Sequence, residues 1–237
     1  MAEDEKRRWR KPPAPAGDSG RAGQETLKKG TRTASSRWWL QRQLNDPYVR
    51  SAKREGWRSR AAYKLMELDD RFGLIPKGGR VIDLGAAPGG WSQVALARGA
   101  AKVVGVDLLA VAPLAGAEFL QADIAAPGVA EQLLACLGGA PDLVLADMAA
   151  NTTGHKATDQ LRTGALAELA CRFALEALAP GGAFITKAFQ GGLETELLGE
   201  LKRAFASVRH AKPPASRTES PEVYVVAQGF RGLGSGQ

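Results

Sequence analysis

Short apolar segments that alternate with helical patterns constrain the fold of this 237-residue chain more than any other feature. Such alternation is typical of a doubly wound α/β fold with a largely parallel sheet. The predicted strands span 80–84, 102–106, 118–121, 142–146, 183–187, 208–212 and 223–228. The predicted helices span 59–72, 88–98, 129–137, 158–179 and 193–205. We expect Ser59 to cap the first helix and Pro88 to open the second.

Charged residues close several of the predicted strands. In an open parallel sheet, ligands bind at the carboxyl ends of the strands. The candidate ligand contacts at this edge are Asp83, Asp107, Asp123, Asp147 and Lys187. A competing interpretation is that the aspartates only cap the helices that follow them, since acids favour helix N-termini. Four aspartates beside a glycine-rich loop favour the ligand interpretation.

The loop after the first predicted strand, DLGAAPGGW over 83–91, favours a nucleoside ligand that lacks phosphate. Gly85 permits a tight turn, and Gly89 lets a ligand approach the backbone closely. The loop has neither the G-x-G-x-x-G pattern of dinucleotide sites nor the G-K-[ST] ending of phosphate-binding loops.

S-adenosylmethionine suits this edge of the sheet, because it carries a ribose, an adenine and an amino-acid end. Asp107 would hold the ribose hydroxyls, at a spacing from the loop that is typical of ribose-binding acids. Asp123 would accept a hydrogen bond from the adenine amino group. Asp83 would orient the loop or meet the ammonium end through water.

Positive charge is concentrated in the N-terminal quarter. The chain carries +7 overall, yet residues 1–64 hold 17 Lys and Arg against 7 Asp and Glu, while residues 65–237 hold 15 against 18. Such asymmetry indicates a nucleic-acid partner that approaches from one side. Residues 1–35 have few large apolar side chains, so we expect a disordered basic tail there. We also expect a flexible C-terminus over 231–237.

A basic segment with an interleaved aromatic residue precedes the first predicted helix. Cations neutralise phosphates, and aromatic rings stack on unpaired bases. An equally consistent interpretation is that Trp57 packs against the sheet. The predicted RNA contacts are Arg50, Lys53, Arg54, Trp57, Arg58 and Arg60, with Arg217 adding to the groove.

Composition argues against several classes of protein. No apolar run approaches the roughly 20 residues of a membrane-spanning helix, and the polar N-terminus is unlike a secretory signal. Cys136 and Cys171 lie far apart in helical patterns, and the two histidines are His155 and His210. We therefore expect no disulfide, no metal site and no membrane partner, and we expect a cytoplasmic protein.

Five sequence blocks in order carry a specific resemblance: RSRAAYKL (58–65), DLGAAPGGWSQ (83–93), DMAAN (147–151), KAFQGG (187–192) and EVYVVA (222–227). They resemble the FtsJ/RlmE family of bacterial 2′-O-methyltransferases, which act on large-subunit ribosomal RNA. The resemblance implies a Rossmann-like class I methyltransferase domain over 36–230, with RNA-binding helices in 36–73. It also implies a seven-stranded, mainly parallel sheet with one antiparallel strand.

The resemblance also implies functional residues and partners. The family's Lys-Asp-Lys-Glu catalytic tetrad corresponds to Lys64, Asp147, Lys187 and Glu222. Its cofactor positions correspond to Gly89, Trp91, Asp107, Asp123 and Asp147. The implied methyl donor is S-adenosylmethionine, which leaves as S-adenosylhomocysteine. The implied substrate is a uridine in the A-loop of 23S rRNA within the assembled large subunit, and we expect a monomeric enzyme. The family commonly has proline where this chain has Ala150, a departure that concerns the wall of the base pocket.

The chemistry of the tetrad can be argued from its residue types. A ribose 2′-hydroxyl is a weak acid, so the enzyme must align it and remove one proton. A lysine accepts a proton where burial or a like charge lowers its pKa. We predict that Lys187 is the acceptor, that Lys64 and Glu222 position the ribose and tune Lys187, and that Asp147 contacts both cofactor and lysine. Without the resemblance, Lys64 is also consistent with a solvated helix face and Glu222 with an exposed strand end.

Three alternative functions stay open from the sequence. A 2′-O-methyltransferase of the same superfamily that acts on tRNA or another RNA would share the tetrad. A nucleotide-dependent oxidoreductase is opposed by the missing dinucleotide pattern and by the basic N-terminal region. A non-catalytic RNA-binding protein of ribosome assembly is opposed by the intact tetrad.

Overall fold

The computed structural model describes residues 44–149, 156–189, 193 and 195–232. The strands are β1 Arg80–Leu84, β2 Lys102–Asp107, β3 Ala117–Gln121, β4 Leu143–Ala146, β5 Ala183–Phe189, β6 Phe205–Ala211 and β7 Glu222–Phe230. The helices are α1 Pro47–Glu55, α2 Ala61–Phe72, α3 Gly90–Ala97, α4 Val129–Leu137, α5 Lys156–Ala177 and α6 Thr195–Ala204. The predicted tail over 1–35 and most of the predicted C-terminal segment lie outside the described residues.

The strands form one seven-stranded sheet in the order β3-β2-β1-β4-β5-β7-β6. β7 pairs antiparallel with both of its neighbours, and every other neighbouring pair is parallel. The predicted mainly parallel sheet with one antiparallel strand is therefore confirmed. The chain runs outward from β1 to β3 and then returns to place β4 on the other side of β1. This reversal of direction makes the crevice at the carboxyl ends of β1 and β4 the expected ligand site.

Helices cover both faces of the sheet, and the central strands alternate their side chains between two apolar cores. In β4, Leu143 and Leu145 belong to the core under α2 and α3, whereas Val144 and Ala146 belong to the core under α4, α5 and α6. Strands buried on both faces read as continuous apolar runs, and this explains their clear signal in the sequence. In the described part of the chain, no helix has the length and apolarity required to cross a bilayer.

Two predicted helix starts are wrong. α2 begins at Ala61 after Arg60, and Ser59 does not cap it. The Ser59 hydroxyl instead lies against Gly90 and has no hydrogen-bond partner among the described residues. α3 begins at Gly90 and not at Pro88, because Gly89 has φ +101° and this left-handed conformation cannot continue a helix.

Helix α1 lies in the region 36–73 where the resemblance implies RNA-binding helices, but the sequence pattern predicted no bounds for it. Its cap is Asp46, whose carboxylate accepts hydrogen bonds from the N–H groups of Tyr48 and Val49, and Pro47 takes the first helical position. Asp-Pro before a helix is a recognisable start signal. Its bounds were not predicted because the sequence, PYVRSAKRE, is dominated by charged and polar residues, so the segment was interpreted as a basic RNA-contacting stretch.

Candidate active site

The single antiparallel strand brings its first residues to the carboxyl edge of the parallel strands. In the β5–β7 pair, Lys187 is opposite Tyr224 and Phe189 is opposite Glu222. Residues that pair across strands share a face, as do residues two apart on one strand. The register therefore places Lys187, Tyr224 and Glu222 side by side. Lys187 lies inside β5 and not at its end, because that strand continues to Phe189.

All four residues of the predicted tetrad come together at this edge. Asp147 follows β4 directly, and its carboxylate Oδ1 lies 3.2 Å from the Lys187 Nζ, which also donates to the Asp147 carbonyl at 2.9 Å. Lys64 reaches in from α2. Its Nζ lies 2.8 Å from Oε1 of Glu222 and 4.0 Å from Oδ2 of Asp147.

Tyr224 is a site residue that the sequence reasoning missed. Its hydroxyl accepts a hydrogen bond from the Lys64 Nζ at 3.0 Å and donates one to the Asp147 Oδ1 at 2.7 Å. The ring is fully buried, with its centroid 5.7 Å from that of Trp91. The available signal was its position two residues after Glu222, which puts both side chains on one face of a strand.

The site balances two buried ammonium groups against two carboxylates. Lys64 is 9% exposed and Lys187 is 8% exposed, and neither charge would be tolerated there without a partner. Burial alone would raise the pKa of the Asp147 carboxyl, but Lys187, Lys64 and the Tyr224 hydroxyl together hold it below its ordinary value. Burial and the nearby Asp147 raise the pKa of Tyr224 well above its usual range, so Tyr224 remains a hydrogen-bond donor.

The glycine-rich loop after β1 is closed by an aspartate from the next strand. Asp107 accepts a hydrogen bond from the Ala87 N–H at Oδ2 and one from the Leu109 N–H at Oδ1, each at 2.9 Å. Gly85 has φ +78°, and a Cβ there would lie 2.6 Å from Cγ of Met148. The loop therefore needs glycine at this position for both its backbone conformation and its packing.

The side chains of two predicted cofactor residues are buried and therefore expose less surface to the crevice than expected. Asp83 is 1% exposed and accepts a hydrogen bond from the Ser92 hydroxyl at 2.6 Å. The carboxylate lies inside the core and holds α3 through Ser92, and its predicted roles of orienting the loop or meeting the ammonium end through water stay predictions. The ring of Trp91 is also buried, and its Nε1 donates to the Ala61 carbonyl at 2.8 Å. Contact between Trp91 and a ligand is thus limited to its backbone in the first turn of α3.

Asp123 lies at the carboxyl edge beyond β3, as predicted. Its Oδ1 accepts a hydrogen bond from the Ala125 N–H at 2.9 Å, so the aspartate also closes a local turn. Capping and ligand binding are compatible, because each carboxylate oxygen has two lone pairs. In the described residues, no group of three or more His, Cys, Asp or Glu side chains is arranged to hold a metal ion.

The predicted arginine and lysine contacts to RNA separate into three groups. Arg50, Lys53 and Arg54 are exposed on α1. Trp57 is half-buried and packs against the core that contains Trp91, as its alternative interpretation held.

Arg60 and Arg217 form the second group of predicted RNA contacts. Both donate to the buried carboxylate of Asp46, at 2.5 and 3.1 Å respectively. Arg60 also donates to the carbonyl of Ala215, whose N–H is held by Glu67 at 2.7 Å, so the β6–β7 loop is anchored to α2. These arginines border a cleft of about 400 Å³ whose other lining residues include Lys64, Glu219, Ser220 and Glu222.

Arg58 stands apart from the other predicted RNA contacts. Its guanidinium is turned toward the glycine-rich loop and donates to three backbone carbonyls, those of Pro88, Ala112 and Pro113.

Comparisons with known proteins match most of this chain to methyltransferases. The model of the family described as FtsJ-like methyltransferase matches residues 57–230. A "Ribosomal RNA large subunit methyltransferase E" from Granulibacter bethesdensis is 64% identical over 200 residues, which are 84% of this chain and 87% of that protein. A protein of the same name from Hyphomonas neptunium is 54% identical over 233 residues, which are 98% of this chain and 100% of that protein.

A solved structure extends the comparison to three dimensions. A ribosomal RNA methyltransferase from Plasmodium falciparum matches with a TM-score of 0.66 at 31% identity, covering 74% of this chain and 100% of that one.

The strand order of the sheet and the side-chain cluster at its carboxyl edge together define the class of protein. A seven-stranded sheet with one reversed strand and a Lys-Asp-Lys-Glu cluster at its carboxyl edge define a Rossmann-like methyltransferase. Since the family model covers most of the described residues, the chain belongs to the FtsJ-like methyltransferase family.

Removal of the Tyr224 hydroxyl should slow methyl transfer without abolishing it. Tyr224→Phe removes one hydrogen bond from each of Lys64 and Asp147, but leaves the Lys64–Glu222 and Lys187–Asp147 pairs in place. A lost buried hydrogen bond costs roughly 1–3 kcal/mol, so we expect kcat to fall about 5- to 150-fold. Steady-state kinetics with large ribosomal subunits as the substrate would measure this. A Tyr224→Phe enzyme with unchanged kcat would contradict a role for the bridge.

The buried Asp83 should make folding stability depend on pH. Burial, opposed by the Ser92 hydrogen bond and aided by Asp147, raises the pKa of the Asp83 carboxyl to about 7. Between about pH 4 and pH 7 the folded chain keeps this proton while the unfolded chain loses it, so this contribution to stability decreases as pH rises. Asp83→Asn should therefore gain stability relative to the wild type across that window. Urea unfolding at several pH values would test this, and a constant difference would contradict the raised pKa.

Proposed function

We propose that this methyltransferase uses S-adenosylmethionine to methylate a ribose 2′-hydroxyl in 23S rRNA, at the A-loop uridine of the assembled large subunit. The observation that carries the proposal is the buried cluster of two lysines and two carboxylates beside an arginine-lined cleft. The names of the relatives from Granulibacter and Hyphomonas support large-subunit rRNA as the substrate.

The side chains at the carboxyl edge fit this cofactor. Asp107 is half-buried and Asp123 is exposed, and as acceptors they suit ribose hydroxyls and an adenine amino group respectively. Asp147 adds negative charge where a sulfonium and an ammonium group would need it. Gly85 and Gly89 adopt the positive φ angles that shape the loop, and the first-turn N–H groups of α3 have no acceptor within the helix. When bound, S-adenosylmethionine supplies an electrophilic methyl group.

Lys187 and Lys64 have different roles toward the ribose. In its neutral form, Lys187 has a lone pair on Nζ that takes the proton of the 2′-hydroxyl. Lys64, whose Nζ lies 2.8 Å from Oε1 of Glu222, hydrogen-bonds the ribose oxygens. Asp147 stabilises the positive charge that Lys187 gains with this proton, since its carboxylate lies 3.2 Å away. Most of the acceleration comes from holding the oxygen in line with the methyl group.

The RNA approaches over α1 and the cleft beside α2. Arg50, Lys53 and Arg54 are exposed on α1 and meet phosphates, while Arg60 and Arg217 line the path that leads to Lys64. Asp46, Glu219 and Glu222 balance the cations that line the cleft, so the cationic surface that meets phosphates is the exposed face of α1. Such a surface attracts the RNA backbone independently of sequence.

The substrate proposal is tested by labelled-methyl transfer to large ribosomal subunits, free rRNA and tRNA in parallel, with the methylated ribose then mapped. We expect the label in the large subunit at a single A-loop uridine. Labelling of tRNA alone would overturn the substrate, and labelling of a base would overturn 2′-O chemistry.

Loss of the Lys187 amine should stop the chemistry while leaving binding intact. General-base catalysis contributes roughly 10²- to 10⁴-fold, so Lys187→Ala should lower single-turnover rates by about that factor. The Kd values for S-adenosylhomocysteine and RNA should stay close to those of the wild type. Lys77→Ala, at an exposed lysine outside the site, is the matched control. A Lys187→Ala enzyme with full turnover would exclude it as the proton acceptor.

Neutralising α1 should flatten the salt dependence of RNA binding. Each phosphate contact adds roughly 0.7 to 0.9 to the slope of log Kd against log salt. Arg50→Gln/Lys53→Gln should therefore lower that slope by between one and two. Lys202→Gln/Arg203→Gln removes the same charge from exposed positions on α6 and should leave the slope unchanged. Equal slopes for the two double variants would show that α1 makes no phosphate contacts.

A further inference from the structure

Arg58 connects three segments that surround the carboxyl edge of β1 and β2. It lies between α1 and α2, and its Nη1 donates to the carbonyls of Ala112 at 2.7 Å and Pro88 at 3.3 Å. Its Nη2 donates to the carbonyl of Pro113 at 2.6 Å. One side chain thus joins the glycine-rich loop to the β2–β3 connection, which come from different parts of the chain.

The glycine-rich loop is shaped to receive this guanidinium. Gly89 has φ +101°, and a Cβ on it would lie only 2.6 Å from the Arg58 Nη1. A side chain at position 89 would displace the Arg58 guanidinium. Glycine at this position therefore leaves room for Arg58 as well as for a ligand.

The backbone of Arg58 is fixed as firmly as its side chain. The Arg58 N–H donates to Oε1 of Gln93 at 3.0 Å, and Nε2 of the same glutamine donates to the Gly56 carbonyl at 2.9 Å. Gln93 belongs to α3, the helix that the glycine-rich loop leads into. The guanidinium therefore projects from a backbone that is already hydrogen-bonded to α3, the helix that follows the glycine-rich loop.

A second contact holds the same loop from the opposite direction. Asp107 accepts from the N–H of Ala87, the residue before Pro88, and also from the N–H of Leu109 at the start of the β2–β3 connection. Asp107 binds N–H groups and Arg58 binds carbonyl groups of the same two segments. Together they fix the spacing between loop and connection, where the nucleoside of the cofactor would lie.

We propose that Arg58 is a positioning residue for S-adenosylmethionine binding and not a phosphate contact for RNA. The inference rests on the proposed cofactor and assigns a role that differs from that of the neighbouring Arg50, Lys53 and Arg60. Its three hydrogen bonds to carbonyls leave little of the guanidinium to meet a phosphate, because an arginine has five N–H donors in a fixed plane. Lysine cannot replace it fully, since one ammonium cannot span three carbonyls in that plane.

The test measures cofactor binding with no RNA present. Arg58→Gln should weaken S-adenosylhomocysteine binding about tenfold or more by calorimetry, and Arg58→Lys should fall between it and the wild type. Arg50→Gln, which removes the same charge from exposed α1, should bind S-adenosylhomocysteine as the wild type does. In turnover assays, Arg58→Lys should raise KM for S-adenosylmethionine while kcat at saturation stays near the wild-type value. A general loss of fold would lower kcat as well.

The salt dependence of RNA binding separates the two roles of the arginines. Arg58→Gln should keep the wild-type slope, whereas Arg50→Gln should lower it. If Arg58→Gln binds S-adenosylhomocysteine normally and loses slope, Arg58 is an RNA contact. The inference then fails and the proposed function stands. If the wild type and Arg50→Gln both fail to bind S-adenosylhomocysteine, the proposed cofactor is wrong, and the inference falls with it.

Discussion

Two ammonium groups buried beside one another are the constraint on which the rest of the site depends. Desolvation penalises each charge, and their mutual repulsion adds to the cost, so carboxylates must be held within contact distance. Asp147 lies near both Lys64 and Lys187, and Glu222 pairs with Lys64 from the other side. Tyr224 closes the network by a hydrogen bond to Asp147. In the proposed chemistry, the same carboxylates stabilise the positive charge that Lys187 gains when it takes the proton.

The sheet topology makes that compensation possible. Strands that all run parallel deliver only residues near their carboxyl ends to the ligand edge. β7 runs the other way, so its first residue, Glu222, reaches the same edge as Asp147 after β4. The reversed strand thus supplies a carboxylate and a tyrosine where a parallel strand would have contributed its last residues. Reversal of one strand is therefore part of the active site as well as part of the fold.

The sequence predicted the sheet well, because strands buried on both faces appear as continuous apolar runs. β1 and α4 match their predicted spans, and most other elements differ by one to three residues at an end. The starts of α2 and α3 were wrong for local reasons. The Ser59 hydroxyl lies against Gly90 instead of capping, and Gly89 adopts a conformation that any helical pattern conceals.

The candidate site was predicted unevenly. The strand-end rule identifies Asp107, Asp123 and Asp147, but it cannot distinguish Asp83, which faces the core. Lys64 and Glu222 came from family resemblance, since only the β5–β7 register and the packing of α2 bring them together. The direction of the Arg58 side chain could not be predicted either, because it depends on contacts with segments that are distant in the sequence. A cation in a basic stretch looks the same in sequence whether it faces solvent or three carbonyls.

Lys64 lies on a helix, unlike the other three residues of the tetrad. Asp147, Lys187 and Glu222 belong to the sheet or directly follow a strand, whereas Lys64 projects from α2, which packs on one face of that sheet. A small sliding of α2 would withdraw one ammonium group and leave the other three groups unmoved. Arg60, which directly precedes α2, and Glu67 within it anchor the β6–β7 loop at Ala215. The helix, the cleft wall and Lys64 would then move as one body, so the completeness of the Lys-Asp-Lys-Glu cluster depends on the position of the cleft beside it.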